Sequence, residues 1–355
     1  MRLSEVFNSA AVAAQWTESA SNRIPYMGTA LFPNKKKMGL DLKNIRGHKG
    51  IAVSLMPSNF DAKSTLRDRE GIKIDEFQMA FFRESMLVKE AEEQEILRVK
   101  ESSDPYVDEI LGRIYDDVNT LLEGAAVVPE RMRMQLLCPE DGSPKIHIEA
   151  NKKLYAYNYD IDGSYKENNY KAMSEATDMW TDHENSDPLS DIAEAISAIE
   201  ESTGSRPERA ITSRATFNHM LANAKIKAAI MTQNPNAQVV LTDVVLKNLI
   251  KTLTGVDIMI NSKKFRDEAG EVHNFFQDGF FTLIPAGALG STWYGVTPEE
   301  RTLQGTGVAD VSIVDGGVAV AVKVTEDPVN TKTTVSEIVL PSYERMDETY
   351  VLKVF

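Results

Sequence analysis

Apolar positions repeat with a helical period in two long segments of the chain. The first segment follows Asp104-Pro105, which combines an N-cap residue with a proline that suits a first helical turn. Its apolar stripe recurs every three or four residues and consists of Val107, Ile110, Leu111, Ile114, Val118, Leu121 and Leu122. A second helical stretch, 129–138, follows closely, so we predict one long helix, straight or kinked, over about 105–138. The same start signal at Asp187-Pro188, with a stop signal at Gly204, predicts another helix.

Alternating apolar and polar positions predict strands in much of the remaining chain. Ile146 and Ile148 alternate with polar residues, and Tyr155, Tyr157 and Tyr159 repeat every second residue, which is typical of a half-buried antiparallel hairpin. Beyond residue 204, predicted strands and helices follow one another. The predicted strands are 209–212, 239–241, 256–260, 280–284, 318–324, 335–340 and 350–355, and the predicted helices are 213–224 and a helix capped by Thr242 that ends at Gly255. These patterns indicate an α+β protein with a compact second half.

The first 88 residues are patterned differently. Up to residue 40 the pattern is weak, and the three lysines within 33–39 predict a solvated turn. Strands are predicted at 51–55 and from Ile72 onward. The segment 61–76, which begins between these strands and overlaps the start of the second, carries nine charges of both signs. Such a flap cannot bury itself against its own core. It is therefore either a mobile loop or a segment that lies across a neighbouring subunit.

Composition and charge narrow the classes of function. The 355 residues are 42% hydrophobic and 26% charged, which is ordinary for a globular chain of about two domains. The net charge of −14 disfavours direct binding to nucleic acid or to an anionic membrane. A single cysteine, Cys138, suits a reducing compartment, and the first residues lack the apolar stretch of a secretory signal. The charge-free stretch 279–298 is interrupted by glycines and prolines, so we expect no membrane helix and synthesis in a cytoplasm.

Two loops resemble ligand-binding motifs only in part. Asn158, Asp160, Asp162 and Gly163 match the first half of a calcium loop, but Asn169 stands where a bidentate glutamate is required. We therefore predict an ordinary turn. The glycine-containing segment 305–310 does not connect a strand to a helix, so it is interpreted as a loop and not as a phosphate site.

The remaining reactive side chains do not form a recognisable catalytic set. The five histidines are scattered without metal-ligand spacing, and His183-Glu184 is interpreted as a surface dipeptide. Cys138 is predicted to be a buried apolar residue, and no spacing singles out an acid–base pair of carboxylates. We therefore predict no catalytic residue, no metal site, no cofactor and no enzymatic activity.

Short segments along nearly the whole chain are similar, in order and spacing, to those of one family. They are 28–33 (GTALFP), 39–42, 57–62, 67–69, 82–84, 129–142, Trp180 followed by Asp187-Pro188, and 340–342. On these segments the chain resembles the major capsid protein E family of tailed phages, with its lambdoid relatives.

The resemblance implies an α+β fold of the Hong Kong-97 type and assigns parts of the chain to it. Residues 1–39 would be the N-terminal arm, 40–88 the extended loop (a two-stranded flap), 89–188 with 326–355 the peripheral domain containing the long helix, and 189–325 the axial domain. It also implies a function. Copies would form pentamers and hexamers that close into an icosahedral phage or prophage head, assembled in the bacterial cytoplasm and enclosing double-stranded DNA without sequence-specific binding.

The resemblance further implies partners and a contact surface. Because the arm leaves no room for a long scaffolding segment, we expect a separate scaffolding protein, together with a portal and, optionally, a decoration protein. Arg67, Asp68, Arg69 and Glu70 carry charges of both signs in the flap, and we expect them to pair with a neighbouring copy. We expect no covalent cross-link between subunits.

Two alternatives stay open at this stage. A bacterial compartment shell of the encapsulin type shares the implied fold and would enclose a cargo enzyme instead of DNA. A cytosolic enzyme could use the charged flap as an active-site lid, although the sequence offers no catalytic group beneath it.

Overall fold

The computed structural model describes residues 8–19, 25–46, 73–92, 94, 106–150, 153–233, 241–326 and 328–355. The α-helices with defined bounds in these ranges are α1 (Ser9–Glu18), α2 (Met27–Leu31), α3 (Tyr106–Leu137), α4 (Ser164–Asn168), α5 (Pro188–Thr203), α6 (Arg214–Ala222), α7 (Ala224–Gln233) and α8 (Asp243–Thr254). A short π-helix covers Glu299–Leu303 and a 3-10 helix covers Met346–Glu348. The strands of the first half are β1 (Asn34–Lys36), β2 (Asp41–Arg46), β3 (Lys73–Gln78), β4 (Ala80–Val88), β5 (Lys145–Ala150), β6 (Lys153–Asn158) and β7 (Tyr170–Ala172). Those of the second half are β8 (Arg209–Ser213), β9 (Asp257–Asn261), β10 (Lys264–Arg266), β11 (Val272–Asn274), β12 (Phe280–Ile284), β13 (Ser291–Tyr294), β14 (Asp310–Val314), β15 (Val318–Val324), β16 (Thr331–Ser342) and β17 (Tyr350–Lys353).

The long helix predicted from the apolar stripe is confirmed as a single element. α3 runs without interruption through Pro129, and Val118 and Leu122 of its stripe are buried. The helix predicted after Asp187 is also confirmed. The Asp187 side chain accepts a hydrogen bond from the Ser190 amide, and Gly204 ends the helix in the left-handed conformation that glycine adopts without strain.

The chain divides into two compact units. Unit 1 contains 1–42, 76–132 and 291–342, and unit 2 contains 43–75, 133–290 and 343–355. The main sheet of unit 1 has the order β1-β13-β16-β15-β14, and β4 also pairs with β16. Its pairings are antiparallel except for β1 with β13. Four of its six strands, β13 to β16, come from 291–342, and β1 and β4 join them from distant parts of the chain.

The sheet of unit 2 has the order β7-β17-β12-β8-β9, with parallel pairing at β7–β17 and β8–β9. Helices α5, α6 and α8 contribute to the hydrophobic core of this unit. Its large buried side chains include Trp180, Ile192, Ile196, Phe217, Leu246 and Phe281. The predicted tyrosine hairpin is confirmed as the antiparallel pair β5–β6, whose buried side chains include Ile146 and Ile148.

Several predictions require correction. The lysine-rich segment 33–39 contains β1, which pairs with β13 in spite of its exposed lysines, and the weakly patterned start of the chain contains α1 and α2. The helix predicted over 213–224 is confirmed as α6, which ends at Ala222, and the helix α7 that follows it was not predicted. Asn223 separates the two helices, because it leaves the helical conformation and its side-chain oxygen accepts a hydrogen bond from the Ile226 amide. In the predicted strand 239–241, Leu241 is not in a strand, and the other two residues lie outside the described part of the chain. The predicted strand at 51–55 lies outside it as well.

Candidate assembly surfaces

The last strand of the predicted flap, β4, belongs to the main sheet of unit 1. β4 pairs with β16 over nine consecutive residue pairs, from Ala80 opposite Val339 to Val88 opposite Thr331. At the root of the flap, β2 pairs with β3, and the Met79 amide donates to the Leu40 carbonyl at 2.8 Å. Arg67, Asp68, Arg69 and Glu70 lie between these strands and outside the described residues, so their intersubunit contacts stay a prediction.

A buried carboxylate connects β4 to the rest of unit 1. Glu299, only 6% exposed, accepts from Ser336 Oγ at 2.7 Å through one oxygen and contacts Arg83 Nε at 2.9 Å through the other. The adjacent Glu300 pairs with Lys36 Nζ of β1 at 2.5 Å. These ion pairs stabilise the attachment of two segments, β1 and β4, that are remote from Glu299 in sequence.

Helix α1 packs on the same unit through its N-terminus and its tryptophan. Ser9 Oγ lies 2.7 Å from Ser312 Oγ, and the Ser9 amide donates to Asp310 Oδ2 at 2.7 Å. The Trp16 indole N–H donates to Asp315 Oδ2 at 2.8 Å, and Trp16 is 2% exposed. The described part of the predicted N-terminal arm is therefore held on its own chain.

Exposed apolar side chains occur near both ends of β4. Met38 is 88% exposed and Leu40 is 44% exposed beside the root of the flap. Leu87, Val324 and Val329 are each about half exposed where β4, β15 and the turn before β16 end, and the strand register places Leu87 and Val324 on opposite faces of the sheet. A hydrogen bond from the Val329 amide to the Glu90 side chain, at 2.7 Å, fixes this turn beside β4. Such side chains are suitable for burial against another surface.

The loop that resembles a calcium site is a turn held by its own aspartate, as predicted. The two carboxylate oxygens of Asp160 accept from the Tyr165 and Lys166 amides and from Ser143 Oγ. Asn169 directs its side-chain amide to the carbonyls of Asp347 and Thr349. The segment 305–310 is likewise a loop up to the start of β14, as predicted. Asp160 therefore stabilises the start of α4, which the sequence did not predict.

Cys138 is confirmed as a buried residue, since it is 4% exposed and burial raises the pKa of its thiol well above the ordinary value. Its thiol is thus poorly suited to nucleophilic chemistry.

The structure brings together histidines that the sequence analysis treated as isolated. His183 Nε2 lies 3.0 Å from His219 Nδ1, and the edge of the Phe355 ring packs against His219. Partial burial, and secondarily the neighbouring His183, lowers the pKa of His219. His273 Nε2 lies 2.8 Å from Asp267 Oδ2, and this contact lowers the pKa of the aspartate. The His183–His219 contact had no local sequence signal, because its two members are 36 residues apart.

A family model and two solved structures are similar to this chain, the first in sequence and the others in fold. A family model described as phage major capsid protein E matches residues 8–354. Among solved structures, a phage-related protein of Bordetella bronchiseptica RB50 is similar with a TM-score of 0.55, 16% identity and coverage of 96% of each chain. A prophage protein of Escherichia coli CFT073, assigned as its capsid protein, is similar with a TM-score of 0.54, 12% identity and coverage of 98% of this chain and 99% of the other.

The comparison with curated protein sequences found no match. Among the described helices, none has the combination of length and hydropathy that a membrane span requires.

Proposed function

Since the chain belongs to the phage major capsid protein E family, we propose that it assembles through pentamers and hexamers into the icosahedral shell of a phage head that encloses double-stranded DNA. The family consists of structural proteins of the virion and not of enzymes, and the α+β fold is of the Hong Kong-97 type. The observation that carries the proposal is the family match over residues 8–354. The structural similarity supports the fold.

The attachment of the flap supports an intersubunit role for it. A segment with nine charges in 61–76 gains little by burial in its own chain. It is followed in sequence by β3 and then by β4, which β16 and Glu299 hold in place. A charged element on a fixed base can present the same surface in every copy, which a repeating head-to-tail contact requires. We therefore place Arg67, Asp68, Arg69 and Glu70 in contact with a neighbouring copy.

The net charge of −14 supports enclosure of DNA without tight binding to it. An inner surface that is not strongly basic lets packaged DNA leave the shell, because fewer phosphates must be released from lysine and arginine side chains. Assembly on a scaffolding protein, a portal at one vertex and an optional decoration protein complete the proposal.

Negative-stain electron microscopy of the purified full chain, alone and with a crowding agent, tests the proposal. We expect rings of five and six subunits or closed shells. Monodisperse monomers or dimers under every condition would overturn it. Shells isolated from the native host that hold a protein cargo and no DNA would instead support the encapsulin-type alternative.

The role of the flap is tested by the paired substitution Arg67→Glu with Arg69→Glu. We expect shells and rings to be lost while circular dichroism stays unchanged, because like charges would then face the surface that receives the flap. The matched control, Arg67→Lys with Arg69→Lys, keeps the charge and should still assemble. Normal shells from the charge-reversed variant would exclude the proposed contact.

A further inference from the structure

The β10–β11 hairpin carries the carboxylates of Asp267, Glu268 and Glu271 and the imidazole of His273 at its end. Its strands pair Phe265 with His273 and Arg266 with Val272, and a short loop connects them. Asp267 holds this loop closed, since Oδ1 accepts from the amides of Ala269 and Glu271 while its own amide donates to the Glu271 carbonyl. Asp267 thus fixes the backbone at the hairpin end.

The imidazole of His273 is held from two sides. Its Nε2 lies 2.8 Å from Asp267 Oδ2, and its ring lies against Phe265, with 5.5 Å between ring centroids. Phe265 packs in turn on Phe275 at 4.9 Å. The second oxygen of Asp267 and one nitrogen of His273 are therefore placed side by side before any ligand binds.

Glu271 adds a third donor at the same end of the hairpin. One carboxylate oxygen each of Asp267 and Glu271 and one nitrogen of His273 lie within 4.8 Å of one another. In a tetrahedral zinc site with bonds of ~2.0–2.1 Å, the ligand atoms are ~3.3 Å apart. The distance between Asp267 Oδ2 and His273 Nε2, 2.8 Å, is slightly shorter than this ligand spacing. The three donor atoms all lie within 4.8 Å of one another, so small side-chain rotations suffice to place them around one ion.

We propose that Asp267, Glu271 and His273 bind one divalent transition-metal ion of the zinc class. The donor set favours such an ion over Mg²⁺ or Ca²⁺, because imidazole nitrogen is a ligand for zinc, nickel and cobalt, whereas the two hard cations prefer oxygen alone. Three protein ligands leave the fourth position to solvent or to another donor. The aspartate that closes the loop is one of the ligands, so metal binding stabilises the hairpin end.

The site is complete within one chain, so this proposal does not depend on shell formation. Titration of the metal-stripped full chain with Zn²⁺ by calorimetry should show one ion bound per chain. Co²⁺ as a second probe should give the visible absorption bands of a tetrahedral ion.

Two substitutions should weaken the binding of Zn²⁺, His273→Ala and Glu271→Gln, each by at least about tenfold. Neither side chain closes the loop, whereas Asp267 does, so these variants are expected to fold. His147→Ala, on the exposed face of β5, and Glu268→Gln, in the same loop, serve as matched controls and should bind Zn²⁺ as the original chain does. His219→Gln tests the other histidine pair and should leave the stoichiometry unchanged.

The proposal is overturned if the full chain binds no Zn²⁺ at millimolar concentration. It is also overturned if His219→Gln abolishes binding while His273→Ala leaves it intact. Equal displacement of Zn²⁺ by Mg²⁺ or Ca²⁺ would reject the assignment to the zinc class. In either of the first two cases the contact between Asp267 and His273 is a turn contact only, and in all three cases the proposed function as a capsid protein is unaffected.

Discussion

The two units are built from the chain in different ways. In unit 1, β1 pairs with β13 through Asn34 and Thr292, and α1 meets β14 through Ser9 and Ser312, which are 303 residues apart. Unit 2 is formed mostly by the continuous stretch 133–290, to which 343–355 adds β17 in the middle of the sheet. In unit 1 the distant segments α1, β1 and β4 join the local strand pairs β14–β15 and β15–β16, whereas every strand pair in the sheet of unit 2 joins residues at least 48 positions apart, so that this sheet forms only together with its core. We therefore expect unit 1 to respond to damage at its attached segments and unit 2 to damage of its core.

The largest effect is expected in unit 2 from Trp180→Ala. Trp180 is fully buried, its ring lies 5.5 Å from that of Phe281, and its indole N–H donates to Asp191 at 3.0 Å. Loss of this side chain should lower the free energy of unfolding by about 3–5 kcal/mol, from lost burial and the remaining cavity. This loss is measured by urea unfolding that is monitored through hydrogen exchange of peptides from each unit. An unchanged midpoint for unit 2 would contradict the role assigned to this core.

An effect of intermediate size is expected in unit 1 at the β14–β15 turn. A Cβ at Gly317 would collide with the Cβ and ring of Tyr294, which is buried, so Gly317→Ala should cost about 1–3 kcal/mol by overpacking. The neighbouring Gly316 has φ +83° and open space around it, so Gly316→Ala should cost about 1–2 kcal/mol from backbone strain alone. Chemical denaturation of both variants makes the comparison. A larger loss for Gly316→Ala would show that Tyr294 moves aside and that strain dominates.

A local effect is expected from Trp16→Ala. Trp16 is as buried as Trp180, but it lies on a helix of ten residues that can detach while the sheet stays folded. Amide exchange in α1 should accelerate at least about tenfold, while exchange in β15 and β16 stays nearly unchanged. Mass spectrometry of exchanged peptides measures both. An equal acceleration of amide exchange in β15 and β16 would show that α1 unfolds together with the sheet. Unit 1 would then respond to the loss of a buried tryptophan in the same way as unit 2.

The same difference explains which features could be predicted from the sequence. Helices α5 and α8 carry their signals locally, in the caps Asp187 and Thr242 and in the glycines that end them. β1 carries no such signal, because Asn34, Lys35 and Lys36 form a strand only through their pairing with β13. The Asp267–His273 contact was likewise invisible to spacing rules, since a tight turn and not a helix brings its members together. Local propensity predicts secondary structure well where neighbours in sequence are also neighbours in space. It fails where a segment becomes a strand only by pairing with a strand that is distant in sequence.

The smallest effect on stability is expected from a change of pH, and this effect should differ between the two units. The ranges of unit 1 contain no histidine, whereas His183 and His219 of unit 2 share a hydrogen bond that requires at least one neutral ring. The pKa of His219 is lowered by desolvation and by His183, with Asp278 acting in the opposite direction.

Because the unfolded chain binds this proton more tightly, the stabilisation is full above the ordinary histidine pKa of about 6.5 and is lost as pH falls through the lower pKa of the folded state. Unit 2 should therefore lose stability between pH 7 and pH 5 relative to unit 1, as measured by urea unfolding with peptide-resolved exchange. His219→Gln should reduce this pH dependence, while His147→Gln, on the exposed face of β5, should preserve it. If both variants behave alike, carboxylates and not this pair of rings control the acid response of unit 2, and the contrast between the units rests on their connectivity alone.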